Sequence, residues 1–270
     1  MKPNLNAIDT TCELLERLRE EMPLVHCMTN AVVTGYTANA LLAAGAAPAM
    51  IHDREEAAQF AAAANALLIN IGTITQDQAA AMRGAIDAAN QAGRPWVLDP
   101  VAVGVLSLRT AFAAEAKLKT PAIIRGNASE IIALAGFKAT SRGVDGTASG
   151  DEARDAAARL SKETGAAVLA TGEVDIAVMP GRDTVSITNG HPIMTRVTGV
   201  GCAQGALAAA FAAVADSPFD AAVAAGLVMA VAGDMAFETA KRPGSYQIAL
   251  LDALDAIDDA TLRNRGKAFA

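Results

Sequence analysis

The sequence predicts a single α/β domain over residues 1–270, with a mainly parallel central sheet, helices on both faces and a helical C-terminal layer. Three observations carry this. Short apolar runs alternate with longer, alanine-rich amphipathic stretches, the pattern of strands joined by helical crossovers. From residue 201 to 257 the chain reads almost entirely as helix. No low-complexity linker or repeat period interrupts the 270 residues, a length that admits one large domain.

In chain order, residues 10–21 have helical character and lead to an apolar strand at Leu24–Met28. A helix through 38–44 precedes a strand at 47–51, and Asp53 is placed to cap a helix over 55–64. A strand at 66–71, a helix at 75–91, a strand at Trp96–Asp99, a helix at 109–117 and a strand at 122–125 continue the alternation. Residues 136–150, rich in Gly, Ser, Thr and Asp, read as an irregular excursion. A helix over 151–162 and a buried strand over 166–170 resume the pattern, and residues 175–179 and 184–188 flank Pro180-Gly181 as an antiparallel hairpin. The apolar tracts 206–215 and 221–232 are each shorter than the ~18–20 residues a bilayer requires. Asp216, Asp220 and Asp234 interrupt them, so they read as helices packed inside a soluble protein.

Composition narrows the function. Hydrophobic residues at 52% support a sizeable core and exclude a disordered chain. One Trp and two Tyr give little on which nucleic-acid bases would stack. Twenty-two bases against 29 acids give a net charge of −7 without basic runs, which opposes binding to nucleic acid or to an anionic membrane. A small phosphorylated ligand, held by one or two local cations and backbone N–H groups, remains compatible. Cys12, Cys27 and Cys202 are odd in number and never in C-x-x-C spacing, which favours free thiols in a reducing compartment. The polar, charged first 20 residues lack the character of a signal peptide, and a cytoplasmic location is expected.

The most specific local feature is Thr198-Gly-Val-Gly-Cys202, directly before an alanine-rich helix. Its glycines let backbone approach a ligand closely, and the first helical turn offers free N–H groups and the positive end of the dipole. Gly199, Val200, Gly201 and Cys202 are therefore a candidate anion hole, with a tight turn joining hairpin to helix as the plainer alternative. No G-x-x-x-x-G-K-[ST] loop occurs, and Gly199-x-Gly201-x-x-x-Gly205 is only a loose dinucleotide fingerprint. At a helix N-terminus Cys202 is expected to have a lowered pKa. It can be read as a nucleophile paired with His191, as a small buried apolar residue, or as a weak acceptor for the proton of a substrate hydroxyl.

Asp99 and Glu130 follow strands, where carboxylates can hold Mg²⁺, usually through water, opposite a nucleotide phosphate. Singly, Asp99 before Pro100 is also a turn former, and Asn127 with Glu130 has capping-box spacing. Arg125 adds a cation for a phosphate or for Glu130, and Thr171 ends another strand with a hydroxyl that can meet phosphate. His26 and His52 read as structural. An anion hole, two carboxylates, an arginine and a strand-end threonine in one α/β layer suit phosphoryl transfer, whose transition state needs positioning and charge more than covalent help. The residues by themselves point to a Mg²⁺-dependent phosphotransferase and to no particular substrate.

The ordered blocks Val25-His-Cys-Met-Thr-Asn30, Leu41-Leu-Ala-Ala-Gly-Ala-Ala-Pro-Ala-Met50, Leu68-Ile-Asn-Ile-Gly-Thr73, Val97-Leu-Asp-Pro-Val-Ala-Val-Gly104, Ile124-Arg-Gly-Asn-Ala-Ser-Glu130, Gly143-Val-Asp145, Thr171-Gly-Glu-Val-Asp175 and Met194-Thr-Arg-Val-Thr-Gly-Val-Gly-Cys202 resemble the hydroxyethylthiazole kinase family. That family is the thiamine-salvage branch of the ribokinase-like superfamily. The resemblance implies a ribokinase-like fold and ATP- and Mg²⁺-dependent phosphorylation of the hydroxyl of 4-methyl-5-(2-hydroxyethyl)thiazole. It implies that Met50 and Gly199 contact the thiazole with Asn30 nearby, that Arg125 and Thr171 bind ATP, and that Asp99 and Glu130 serve the metal. Cys202 stands where most of the superfamily places an aspartate base, and the usual assembly is a homotrimer with substrate sites between subunits.

The sequence departs from that pattern at Ala31, at Val200 where Thr is commoner, and at Gln204-Gly205 where Leu-Ser is typical. Gly205 is expected to loosen the first turns of its helix, at ~1 kcal/mol against Ala. Other readings are a ribokinase-like kinase for another small alcohol such as a hydroxymethylpyrimidine, a Cys202–His191 thiol hydrolase, and a metabolite-binding protein with a dead site. Intact Asp99, Glu130 and Cys202 weigh against the last.

Overall fold

A computed structural model describes residues 3–137 and 150–270; Gly143-Val-Asp145 and most of the excursion expected over 136–150 lie outside them. The chain begins with α1 (Leu5–Glu21), β1 (Leu24–Met28), α2 (Thr34–Ala44), β2 (Ala47–Ala49), α3 (Arg54–Ala63), β3 (Ala66–Asn70), α4 (Gln76–Gln91), β4 (Trp96–Asp99), α5 (Ser107–Ala116), β5 (Ile123–Asn127) and α6 (Ala128–Leu134). It continues with α7 (Gly150–Thr164), β6 (Ala167–Thr171), β7 (Asp175–Val178), β8 (Val185–Ile187) and a 3-10 helix (Pro192–Arg196). The last part comprises α8 (Val200–Val214), α9 (Pro218–Thr239), α10 (Pro243–Ala256), α11 (Asp259–Arg265) and β9 (Ala268–Phe269).

One sheet runs in the order β2-β1-β3-β4-β5-β6-β7-β8-β9. The strands from β2 to β6 are parallel, and β7, β8 and β9 add antiparallel pairs, β7 and β8 forming the expected hairpin. Helices α3 to α7 cover one face and α1, α2 and α8 to α11 the other, each over its own apolar core.

Alternation of side chains along the strands decides what faces each core. In β3, Ala66 and Leu68 join the core under α8, while Leu67 and Ile69 join the opposite one. The same parity places Val97 of β4, Ile123 of β5 and Leu169 of β6 under α8. Two residues further along each strand come Asn70 after Leu68, Asp99 after Val97, Arg125 after Ile123 and Thr171 after Leu169. Four polar side chains therefore leave the carboxyl ends of four adjacent parallel strands toward the layer that holds α8. That helix lies across β1, β3, β4 and β5.

Local differences from the sequence reading have local causes. Helix α1 starts at Leu5 because the Asn4 side chain accepts a hydrogen bond from the Ala7 N–H and caps it. Strand β2 is only three residues long and pairs on one side alone, with β1. Asp53 and Thr75 cap α3 and α4 as their positions suggest. The capping-box spacing of Asn127 and Glu130 marks the start of α6, while the 3-10 helix, α11 and β9 are short elements the sequence pattern does not announce. The tract expected over 221–232 belongs to the 22-residue α9, long and apolar enough to span a bilayer yet largely buried against α1, α8 and α10.

Candidate active site

The N-terminus of α8 sits above the polar strand ends. Gly199 is its N-cap, with φ +100°, and no side chain caps the helix at the turn of Val200, Gly201 and Cys202 where the sequence suggests an anion hole. Glycine is required there twice over. The left-handed backbone disfavours any Cβ, and one built at Gly199 would lie 2.9 Å from Tyr36 Cδ1 and 3.0 Å from Val33 Cγ1.

Below this turn the side chains form a connected set. Arg125 donates from Nε to Gln204 Oε1 at 2.9 Å and from Nη2 to Thr171 Oγ1 at 3.1 Å, and its Nη1 lies 3.8 Å from Asp99 Oδ1. A Cβ at Gly201 would meet both terminal nitrogens of Arg125 at 2.9 Å, which shows how closely the helix descends onto the guanidinium. On the other side, Asn70 donates to Asp99 Oδ2 at 2.5 Å, and Asn30 Nδ2 donates to Asn70 Oδ1 at 3.0 Å and to Cys202 Sγ at 3.3 Å.

Asp99 is fully buried, and its Oδ1 has no hydrogen-bond partner among the described residues. Burial pushes its carboxyl up to about 7. The Arg125 cation pulls the other way, the Glu130 charge adds to the rise, and the Asn70 hydrogen bond opposes it. Glu130 is differently committed: Oε1 accepts from the Ala102 N–H and Oε2 from the Asn127 N–H, both at 2.9 Å. With Asn127 Oδ1 accepting from the Glu130 N–H it completes a capping box on α6. Arg125 does not pair with Glu130; the arginine turns to Gln204, Thr171 and Asp99 instead.

Residues 15–260 match the model of the hydroxyethylthiazole kinase family. The chain belongs to that family. A hydroxyethylthiazole kinase of Akkermansia muciniphila is 50% identical over 254 residues, 94% of this chain and 93% of that one. The solved structure of the hydroxyethylthiazole kinase protein from Pyrococcus horikoshii superposes with a TM-score of 0.89 at 38% identity, covering 97% of this chain and 98% of that one. A ribokinase-like superfamily protein from Enterococcus faecalis shares the fold at TM-score 0.65 and 11% identity, over 91% of this chain and 95% of its own. The ribokinase-like architecture with a C-terminal helical layer is thereby shown.

In this member of the hydroxyethylthiazole kinase family, Cys202 differs from the sequence expectation. Its thiol is pushed up to about 11, first by burial and then by the charge of Asp99, against which Asn70, Arg125 and Asn30 do not prevail. The helix dipole does not make it a thiolate. His191 does not activate it either: that ring stacks on Phe237 at 3.4 Å and accepts from the Ile193 N–H, while the thiol takes its hydrogen bond from Asn30. The thiol-hydrolase reading loses both supports.

Gly205 also has a different reason from the one its helix propensity suggests. A Cβ there would lie 3.2 Å from Asp99 Oδ2 and 3.4 Å from Leu68 Cδ1, so glycine lets α8 settle directly over the carboxylate. Met50 follows β2 and packs partly buried against the core under α8, outside the hydrogen-bonded set. Ala31 is exposed and its N–H donates to Thr73 Oγ1 at 3.0 Å. Asn70 and Asp175 are neighbours in the site to which sequence reasoning gave no role, and Gln204 stood out there only as a departure from the family pattern. Asn70 carried a usable signal, because it ends β3 in register with Asp99 at the end of β4.

Proposed function

We propose that the chain, as one kinase domain, transfers the γ-phosphoryl group of ATP to the hydroxyl of 4-methyl-5-(2-hydroxyethyl)thiazole, with Mg²⁺, in thiamine biosynthesis and salvage. The observation that carries this is the gathering of Asp99, Arg125 and Thr171 on one face of the sheet beneath the free first turn of α8. Family membership supplies the alcohol.

The roles follow from the chemistry of each group. Arg125 and Thr171 are assigned to the ATP phosphates, the guanidinium as a fixed cation and the hydroxyl as donor. The N–H groups of Val200, Gly201 and Cys202 face charge that builds on the transferring phosphoryl group. Met50, Gly199 and Asn30 are assigned to the thiazole, Gly199 offering backbone alone because Tyr36 and Val33 fill the space a side chain there would take.

The residues fit a magnesium ion. Asp99 Oδ1 is a buried carboxylate oxygen without a hydrogen-bond partner, an arrangement that a cation would satisfy. Among the described residues no group of three or more His, Cys, Asp or Glu side chains is gathered for a metal. That suits an ion held by one or two carboxylates together with phosphate oxygens and water. Asp99 is assigned as the direct holder and Glu130, whose oxygens already accept backbone N–H groups, as a water-mediated one. When bound, the ion neutralises phosphate charge.

In the transfer the substrate hydroxyl oxygen attacks the γ-phosphorus, the bond to the β–γ bridging oxygen breaks to release ADP, and the hydroxyl proton passes to an oxygen of the transferred phosphoryl group or to solvent. Cys202 is assigned beside that hydroxyl. As a neutral thiol at rest its sulfur can orient the hydroxyl by accepting a hydrogen bond, and because the transferred phosphoryl group can take the proton, turnover does not depend on a thiolate. The protein therefore relies chiefly on positioning and charge.

We further propose a homotrimer with inter-subunit substrate sites, supported by the exposed Val32 beside Asn30 and by exposed Val105 and Leu106 beyond Asp99, apolar surface a neighbour would cover. Light scattering at three times 27.5 kDa tests it. A cytoplasmic location is supported by the three free cysteines. ADP release from ATP and Mg²⁺ across a panel of small alcohols tests the activity: turnover should be greatest with the thiazole alcohol. Preference for a hydroxymethylpyrimidine would instead move the substrate within the superfamily.

A further inference from the structure

Arg125 projects from β5 into a space bounded by three other elements, and its orientation is not set by the phosphate-facing partners alone. Its Nε, the nitrogen farthest from the guanidinium tip, donates to Gln204 Oε1 at 2.9 Å, a bond both of whose partners are buried. Gln204 in turn donates from Nε2 to Asp175 Oδ2 at 3.2 Å, and Asp175 Oδ1 accepts from the Gly172 N–H at 3.0 Å. Chemistry fixes the direction of this chain. Arginine has only donors, so the amide oxygen must face it; the amide nitrogen is then left for the carboxylate, which has only acceptors. Neither end tolerates a flipped amide. The first turn of α8 presses on the same guanidinium at Gly201, so Arg125 is held from behind and above while Nη1 and Nη2 point to Asp99 and Thr171.

We propose that Gln204 and Asp175 are positioning residues that lock the Arg125 guanidinium in the orientation used for the nucleotide phosphates. This rests on the kinase reading and on the assignment of Arg125 to ATP. A long arginine side chain has many rotamers, and ordering it costs entropy. A clamp on Nε removes that freedom before the nucleotide arrives and leaves the remaining N–H groups of the terminal nitrogens, beyond the one bonded to Thr171, for ligand.

The test reverses the polarity of the chain. Gln204→Glu keeps an acceptor for Arg125 but sets a second carboxylate against Asp175. Asp175→Asn, with its oxygen still accepting from Gly172, sets an amide donor against the Gln204 amide donor. Together the two changes restore every bond, since the amide introduced at position 175 then donates to the carboxylate introduced at position 204. The total charge of the double variant equals that of the wild type. Each single variant should raise KM for ATP about tenfold, the scale of one charge-assisted hydrogen bond, with KM for the thiazole alcohol within about twofold. The double variant should return KM for ATP to within about threefold of wild type. Melting temperatures and Arg125→Ala are measured alongside. Single variants that bind ATP as wild type does, a double variant no better than the worse single one, or equal rises in both KM values would overturn the clamp. If Arg125→Ala itself leaves KM for ATP unchanged, the nucleotide assignment fails and the clamp with it. An Arg125 effect without a Gln204 effect rejects the clamp alone.

Discussion

Asp99 closes β4 with one oxygen held by Asn70 and the other without a hydrogen-bond partner under α8, and this asymmetry has consequences that a pH series can read. Its folded carboxyl, at about 7, lies above the unfolded value near 3.9. The native state therefore binds a proton that the unfolded state releases between those values. The stabilisation from that proton is complete below about pH 4 and is lost as pH rises through about 7. Asp99→Asn keeps an acceptor for Asn70 but cannot ionise. Its melting temperature should fall less than that of the wild type between pH 5 and pH 8, while kcat drops by at least about 10²-fold through loss of the carboxylate proposed to hold Mg²⁺. Parallel melting curves for the two proteins would show that the carboxyl ionises normally. Cys202 offers the second residue-scale prediction. A thiol near 11 carries little thiolate at pH 8, so iodoacetamide should alkylate it at least about tenfold more slowly than a free thiol near 8.5. Cys202→Ala should retain measurable kinase activity, with a loss inside the ~10²–10⁴ that general-base assistance contributes. Complete loss, with folding intact, would make the sulfur an obligatory participant.

At the scale of elements, the loop that carries Glu130 is both cap and neighbour of the site. Its carboxylate ties the start of α6 to Ala102 in the loop after β4, so Glu130→Ala removes two backbone hydrogen bonds as well as charge near Asp99. We expect a loss of stability of about 1–3 kcal/mol together with reduced kcat, measured by urea unfolding and turnover. A variant as stable as wild type would show that the capping bonds contribute nothing. The strands that bear the site were legible because each is a compact apolar run closed by a polar residue. Trp-Val-Leu-Asp99 and Ile-Ile-Arg125 announce both position and parity. Asn70 obeys the same rule, yet asparagine after an apolar run reads equally well as a turn former. Gln204 and Asp175 were not legible, because their meaning lies in partners 79 and 29 residues away that only the folded sheet brings together. The thiol pKa was misread for a related reason. A helix N-terminus is visible in sequence, whereas the burial and the Asp99 charge that outweigh it are properties of the assembled layers.

Among the described residues one nine-stranded sheet separates two helical layers, and the parity of its parallel strands sends Asn70, Asp99, Arg125 and Thr171 to the side covered by α8. Ligand sites beyond the carboxyl ends of parallel strands are the general outcome of this architecture, since loops and helix N-termini converge there. Here α8 adds glycines at 199, 201 and 205 that allow backbone to descend to Tyr36, Arg125 and Asp99 in turn. The sheet, the hairpin and the alanine-rich C-terminal helices follow from alternation and residue size. Which alcohol is phosphorylated does not; the thiazole alcohol is proposed from family membership. Phosphoryl transfer to the thiazole alcohol at the face beneath α8 is read directly by phosphorus NMR of the reaction. Wild-type protein with ATP, Mg²⁺ and 4-methyl-5-(2-hydroxyethyl)thiazole should convert γ-phosphate signal into a phosphomonoester and ADP, and Asp99→Ala, folded by circular dichroism, should slow this by at least about 10²-fold. No phosphomonoester from the wild-type protein, or equal rates from both proteins, would show that this face does not carry the transfer.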